Sequence, residues 1–301
     1  MMAMQHHQAD AGELLSNEPM AQHTTWRVGG PARHYYRPAT AEGLAEFLAG
    51  LPGEEPLYWV GLGSNLLVRD GGIAGTVIAT SGVLDEMLAV GDARVQIECG
   101  ASCAKVARFC ARLGLSGAEF LCGIPGTMGG ALAMTAGCFG GETWALVRRV
   151  ETIDRHGQRR WREASAYQVG YRHVRGPAEE WFIRVELQLS EGDSEALLQQ
   201  QRDLLAQRGE RQPTRLPNAG SVFRNPPGDY AARLIESAGL KGRRVGGAEV
   251  SHKHANFIVN LGGATAADIE SLIEQVRAEV ERVHGICLET EVCIVGEACA
   301  G

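Results

Sequence analysis

The chain has 301 residues, a formal net charge of -7, and 22% charged and 45% hydrophobic residues. This is ordinary globular composition, long enough for two or three domains. The mild acidity excludes a general electrostatic footprint for nucleic acid or an anionic membrane, and no run approaches the roughly 18 apolar residues of a membrane span. Residues 1–22 are polar and aperiodic, without the basic and apolar blocks of a signal peptide, so a loose tail on a cytoplasmic protein is expected. Arg33-His34-Tyr35-Tyr36-Arg37 reads as a short strand ended by Pro38. Thr40 is placed to cap a helix with Leu44, Phe47 and Leu48 on its apolar side. Residues 57–60 read as a strand, Gly61-Leu62-Gly63-Ser64-Asn65 as a turn, and Leu66-Leu67-Val68 as more strand. Residues 94–99 alternate as a strand. Ser102 then opens a helix bearing Val106, Phe109, Cys110 and Leu113, closed by Gly114. Residues 150–153 and 181–189 are expected strands.

Ser194 opens a helix with Leu197, Leu198, Leu204 and Leu205 on one side, and a domain boundary is expected near it. Thr265 and Asp268 resemble a capping box before a helix carrying Ile269, Leu272, Ile273, Val276, Val280 and Val283, with Gly285 at its end. The last expected strand places Ile286, Leu288, Val292 and Ile294 on one face. Cys287, Glu289, Glu291 and Cys293 lie on the other. The eight cysteines include no C-x-x-C pair, so free thiols are expected rather than zinc or disulfides. His252-Lys253-His254 supplies two histidines at strand spacing but no evident third ligand. It is read as a polar loop, and His6-His7 as solvated, so no metal is expected.

Two glycine-rich stretches ask for a physical reason. In Gly61-Leu62-Gly63-Ser64-Asn65 the glycines permit main-chain N–H groups to converge on an anion, with Ser64 and Asn65 adding donors. The plain alternative is a tight turn. A Rossmann fingerprint is absent, because the third glycine is missing and strand, not helix, follows. The second stretch is Gly123-Ile124-Pro125-Gly126-Thr127-Met128-Gly129-Gly130, continuing through Gly137 and Gly140-Gly141. Each glycine weakens a regular element by about 0.5–1 kcal/mol. Close approach of backbone to a flat or phosphorylated ligand accounts for that loss. Its apolar residues Ile124, Met128, Leu132, Met134 and Phe139 argue against a mobile surface loop.

Six segments together resemble the MurB family of flavin-dependent reductases. They are Thr24-Thr25-Trp26-Arg27-Val28-Gly29-Gly30-Pro31-Ala32, the two glycine stretches, Tyr171-Arg172, Gly220-Ser221-Val222-Phe223-Arg224-Asn225-Pro226, and Leu288-Glu289-Thr290-Glu291-Val292. They occur in the family's order, and the resemblance runs over residues 23–297. It implies an α+β protein with a two-lobed FAD-binding domain of the vanillyl-alcohol-oxidase (PCMH) type at 23–193, split near 85. A C-terminal α/β substrate-binding domain follows at 194–301. The short segment between Trp181 and Ser221 resembles the family's shorter type, without an extra substrate-loop insertion.

The resemblance implies NADPH-driven, FAD-dependent reduction of UDP-N-acetylglucosamine enolpyruvate to UDP-N-acetylmuramate in peptidoglycan precursor synthesis. It implies a small-molecule substrate; no His or Cys clearly suits a flavin linkage, so non-covalent FAD is expected, with no nucleic-acid or membrane partner and a monomer. By motif, Ser221 would donate a proton to carbon, Arg172 would hold the substrate carboxylate, and Glu291 would act beside Arg172, either polarising the intermediate or helping return a proton to Ser221. Gly61, Leu62, Gly63, Ser64, Asn65, Gly123, Ile124, Pro125, Gly126, Thr127, Gly129 and Gly130 would hold FAD, while Tyr171, Arg224 and Asn225 would contact substrate. Without the resemblance, Ser221 reads as a turn residue, Arg172 as a surface ion-pair partner, and Glu289 and Glu291 as a solvent face. The chain departs from the family pattern at Thr135, usually Asn, at Val174, commonly Ser, and at Cys293, usually Arg. Two rival readings are another flavoenzyme of this fold, such as an oxidase, and a non-catalytic flavin or UDP-sugar binding relative. The C-terminal motifs, with Ser221, Arg172 and Glu291 together, argue against both.

Overall fold

A computed structural model describes residues 12–299; His6 and His7 lie outside the described residues. The fold is α+β, with contacts that divide the chain into two compact units, each discontinuous in sequence. Among the described residues the first comprises 12–15, His34–Gly61 and Gly75–Gln207; the second comprises Ser16–Arg33, Leu62–Ala74 and 208–299. These units differ from the consecutive stretches 23–193 and 194–301. The Ser194–Arg211 helix buries Leu197 and Gln201, and the Gln201 amide donates to the Ala107 carbonyl at 2.8 Å. That buried contact carries the first unit past the expected break.

The first unit is organised on a five-stranded antiparallel sheet. Its order is Arg159–Glu163, Val147–Asp154, Glu180–Gln188, Arg94–Glu98 and Met87–Gly91. Period-two alternation sends Val150, Val185, Leu187, Val95 and Ile97 to one face. There they pack with Val106, Ala107 and Cys110 of the Cys103–Arg112 helix and with Met128 and Leu132 of the Met128–Ala133 helix. Ser102 caps the first helix by accepting the Lys105 N–H; Leu113, expected on its buried face, is 45% exposed. The other sheet face carries a charged network. Glu186, only 1% exposed, accepts from Arg148 at 2.7 Å, Arg149 at 2.8 Å and Gln96 at 2.9 Å. Burial raises the Glu186 carboxyl, but the bonds from Gln96 and Arg149 outweigh it and hold the group below the usual carboxylate range.

A four-stranded sheet has the order Glu13–Pro19, Pro31–Arg37, Ile73–Ala79 and Leu57–Val60, the last two parallel. Residues 13–22 are therefore not a loose tail. Glu13–Pro19 is an edge strand held by main-chain pairing with little burial, which is why its side chains carry no apolar period. The following turn buries Met20 completely. As expected, Thr40 caps the Ala41–Gly50 helix, its hydroxyl accepting the Gly43 N–H at 3.0 Å.

The second unit has its own core. Ile269, Leu272, Ile273, Val276 and Val280 of the Ala266–His284 helix pack with Leu234 and Ile235 of the Ala231–Ser237 helix and with Val250 and Ile258. Val283, expected on the buried face, is 42% exposed. The capping box of Thr265 and Asp268 is complete, and Gly285 ends the helix in the left-handed conformation at φ 67°. The Asp70 carboxylate accepts the Ala266 and Ala267 N–H groups, both at 2.9 Å, where the helix dipole favours negative charge. Arg69 makes a forked pair with Glu270 on the same helix at 2.8 and 3.0 Å. The expected strand over residues 286–294 is shorter. Only Cys293–Val295 pairs as a strand, in parallel with Leu66–Val68. The alternation persists without it, since Leu288 and Val292 are buried while Cys287, Glu289 and Cys293 are exposed.

Candidate active site

The second glycine stretch lies in the first unit. It ends a 3-10 turn at Glu119–Gly123, runs through Ile124, Pro125 and Gly126, and begins the Met128–Ala133 helix. Thr127 is the N-cap: its hydroxyl accepts the Gly130 N–H at 3.4 Å. A cavity of about 180 Å³ opens beside it, with Gly61, Thr127, Gly129, Gly130, Trp59 and Trp181 among its walls. The two indoles stack at 5.2 Å between ring centroids.

The glycines are there because backbone and side chain approach closely. A Cβ on Gly61 would stand 2.3 Å from Thr127 Oγ1, and one on Gly123 would stand 2.5 Å from the Phe139 ring. Trp59 Nε1 is buried without a protein acceptor. Bare backbone at Gly61, Gly129 and Gly130 and an unused buried donor fit a cofactor with a flat ring and polar edges. This cavity holds only part of a molecule the size of FAD. Gly61, Thr127, Gly129 and Gly130 are the expected residues with a place in its wall, and sequence reading missed Trp59 and Trp181, whose partnership joins residues 122 positions apart in number. Gly123, Ile124, Pro125 and Gly126 are not among its lining residues.

Leu62, Gly63, Ser64 and Asn65 belong to the second unit. Gly63 is buried at φ 62°, and a Cβ there would stand 2.1 Å from the His23 carbonyl oxygen, so glycine is required on both counts. The Thr25 N–H donates to the Gly63 carbonyl at 3.3 Å. The Thr24-to-Ala32 motif thus buttresses this loop, with Trp26 fully buried and its Nε1 donating to the Ile258 carbonyl at 2.8 Å. Leu62 is 40% exposed.

Ser221 and Glu291 also lie in the second unit, on neighbouring segments. Asn218 Oδ1 accepts the Gly220 N–H at 3.0 Å, closing a turn that delivers Ser221. Asn256 then fixes the following residues, accepting the Val222 N–H on its carbonyl at 2.9 Å and the Phe223 N–H on Oδ1 at 3.0 Å. The Glu291 N–H donates to the Val222 carbonyl at 2.7 Å, and the Arg224 N–H to the Glu289 carbonyl at 2.9 Å. Ser221 is half-buried and so is Glu291, whereas the Glu289 side chain is 77% exposed and pairs with Arg224 at 3.4 Å. Asn225, expected on the substrate side, spends Oδ1 on the Ala231 N–H at 3.1 Å, at the start of the next helix. Cys293 is exposed on the face of Glu289.

Tyr171 and Arg172 form the two-residue turn between Gln168–Gly170 and His173–Arg175 in the first unit. Both line a cavity of about 460 Å³ with Thr135, Cys138, Glu142 and Val169. Arg172 Nη1 donates to the Thr135 carbonyl at 3.1 Å, and the guanidinium lies 5.2 Å over the Tyr171 ring. Arg172 at φ 54° and Thr135 at φ 46° are both left-handed, a costly state for a β-branched residue. That strain gives the Thr135 departure a physical meaning, since Asn adopts this conformation readily. Val174 packs partly against the core beneath the hairpin. Burial pushes the Cys103 and Cys110 thiols up to about 12, leaving them protonated at neutral pH. Lys253 Nζ of the His252-Lys253-His254 segment donates to the Gly209 carbonyl at 2.6 Å. Among the described residues no group of three His, Cys, Asp or Glu side chains is placed to hold a metal ion.

Comparisons with known proteins agree with this geometry. A family described as "FAD binding domain" matches residues 32–161, and one described as "UDP-N-acetylenolpyruvoylglucosamine reductase, C-terminal domain" matches residues 212–295. The chain is 61% identical to the UDP-N-acetylenolpyruvoylglucosamine reductase of Alkalilimnicola ehrlichii, covering 95% of this chain and 96% of the relative. It is 59% identical to that of Methylococcus capsulatus, covering 95% and 94%. The crystal structure of the Thermus caldophilus enzyme of that name superposes with a TM-score of 0.80 at 36% identity, covering 94% of this chain and 98% of that one. With glycine-walled cavities, a Ser221 segment bonded to the Glu291 segment, and this likeness over nearly its full length, the chain belongs to the UDP-N-acetylenolpyruvoylglucosamine reductase family.

Proposed function

We propose that the chain reduces UDP-N-acetylglucosamine enolpyruvate to UDP-N-acetylmuramate with NADPH, in peptidoglycan precursor synthesis. Bound FAD would supply the hydride that adds to the enolpyruvyl double bond. The observation that carries the reading is the main-chain bond of 2.7 Å from Glu291 to Val222, which holds a carboxylate segment beside the Ser221 turn in a chain of this family. Hydride addition leaves an enolate conjugated with the substrate carboxylate, and Ser221 gives its hydroxyl proton to the adjacent carbon. A serine hydroxyl is a weak acid, so the donor needs a strongly basic carbon and a fixed position. Glu291 returns a proton to Ser221. Arg172, held by the Thr135 carbonyl, binds the substrate carboxylate and offsets its developing charge. Gly61, Gly63, Ser64, Asn65, Gly123, Thr127, Gly129 and Gly130 would hold the cofactor, Gly61, Thr127, Gly129 and Gly130 from the cavity wall they line. Leu62, Ile124, Pro125 and Gly126 extend the same loops, and Tyr171, Arg224 and Asn225 are substrate-side contacts. The protein works as a cytoplasmic monomer.

The test follows the flavin band under anaerobic conditions. It should bleach with NADPH and return on adding the enolpyruvyl substrate. Ser221→Ala should keep flavin binding and bleaching while slowing the return about 100-fold or more. A band that returns only with oxygen would replace this reading with that of an oxidase.

A further inference from the structure

Glu291 is bracketed on both sides of its Cα. Its own N–H is spent on the Val222 carbonyl, one residue from Ser221, at 2.7 Å. Its carbonyl accepts the side-chain amide of Asn65, Nδ2 to O, at 2.9 Å. The Asn65 carbonyl in turn accepts the Cys293 N–H at 2.9 Å, and the parallel pairing of Leu66–Val68 with Cys293–Val295 starts there. The peptide units before and after Glu291 are thus both anchored. Fixing both peptides sets φ and ψ, so only the side-chain torsions remain to aim the carboxyl.

The Asn65 side chain is the one component of this bracket that is not main chain. We infer that Asn65 is a positioning residue: its amide fixes the orientation of the Glu291 carboxyl relative to the Ser221 turn, apart from any cofactor contact of the loop it sits in. The inference rests on the proposed roles of Ser221 and Glu291. Asparagine is suited to the task because it supplies a neutral donor to a carbonyl. An aspartate at this place offers only acceptors when ionised and faces the Glu291 carbonyl with a like dipole. An alanine removes the bond and leaves the peptide after Glu291 held only by the Val292 N–H, which reaches the Val222 carbonyl at a long 3.4 Å. Neither change touches the bond from Cys293 to the Asn65 carbonyl, so strand pairing survives and the side chain's contribution is isolated.

Asn65→Ala, Asn65→Asp and Glu291→Gln are measured in three ways: FAD affinity of the apoprotein, flavin bleaching by NADPH, and flavin reoxidation by the enolpyruvyl substrate across pH. A mispositioned catalytic group costs up to about 100-fold in rate. Whatever their FAD affinity, the two Asn65 variants loaded to saturation with FAD should bleach within about 3-fold of the parent but reoxidise about 10- to 100-fold more slowly, with an altered pH profile. Combining Asn65→Ala with Glu291→Gln should add little beyond Glu291→Gln alone, since both remove one function. If FAD affinity falls while reoxidation of the loaded variants keeps its rate and pH profile, Asn65 serves the cofactor only and the inference is overturned. Reoxidation at full speed in Glu291→Gln would instead overturn the role of Glu291 itself.

Discussion

Gly61 gives the most direct test of the close-packed cavity wall. An alanine there places its methyl 2.3 Å from Thr127 Oγ1, 3.1 Å from Cγ2 and 3.2 Å from Cβ. Thr127 is 1% exposed, so its side chain is held among packed neighbours even beside the cavity. Its hydroxyl also caps the Met128–Ala133 helix through the Gly130 N–H. Overpacking of this kind costs about 1–3 kcal/mol, and loss of the cap adds about 1 kcal/mol. Gly61→Ala should thus destabilise the apoprotein by about 3 kcal/mol, a fall in melting temperature of roughly 6–12 °C. Thr127→Ala removes both Oγ1 and Cγ2, leaving the 3.2 Å contact to Cβ, which a small relaxation absorbs. In that background Gly61→Ala should cost under about 1 kcal/mol, giving a coupling of about 2 kcal/mol in a double-mutant cycle. Chemical denaturation of the apoprotein measures all four species without the cofactor. Additive costs would show that Thr127 is not what excludes a side chain at position 61.

Two other predictions concern strain and buried charge. Thr135→Asn should raise stability by about 1 kcal/mol by relieving a left-handed β-branched residue; a loss in denaturant melts would show that the Thr135 hydroxyl bond to Gly170, 3.1 Å, outweighs the strain. Glu186→Gln should cost about 3 kcal/mol or more at pH 7, because it leaves the facing arginines without their buried carboxylate. The folded-state carboxyl lies below its usual range, so its contribution is complete above the unfolded value of about 4.3 and is lost as pH falls through the folded value. The stability gap between parent and variant should be flat from neutrality down to about pH 5 and narrow below about pH 4; a gap unchanged at pH 3 contradicts the assignment.

The elements most legible in sequence are those in which local chemistry and burial agree. Thr40, Ser102, and Thr265 with Asp268 each cap the helix they were read to cap. Apolar identity was a poorer guide to faces. Leu205 and Val283 are more than 40% exposed, while Gln201 is buried because its amide finds the Ala107 carbonyl. The Ile73–Ala79 strand has no such signal, since all but one of its residues are buried and no alternation marks it. The site shows the same division. Glycine is conspicuous wherever it weakens regular structure, so both loops could be seen. The partners that give the loops their shape are distant: Thr25 lies 38 residues from Gly63 and Asn65 226 residues from Glu291. No local pattern encodes such pairings.

The parallel pairing of Leu66–Val68 with Cys293–Val295 also orders events during synthesis. At about 5–20 residues per second, the 226 residues from Asn65 to Glu291 take roughly 10–45 s to emerge. Over that interval Leu67 and Val68, fully buried in the finished fold, belong to a strand whose partner has not been made. The nascent chain therefore carries an open apolar edge over that interval, until the Cys293–Val295 segment emerges to close it.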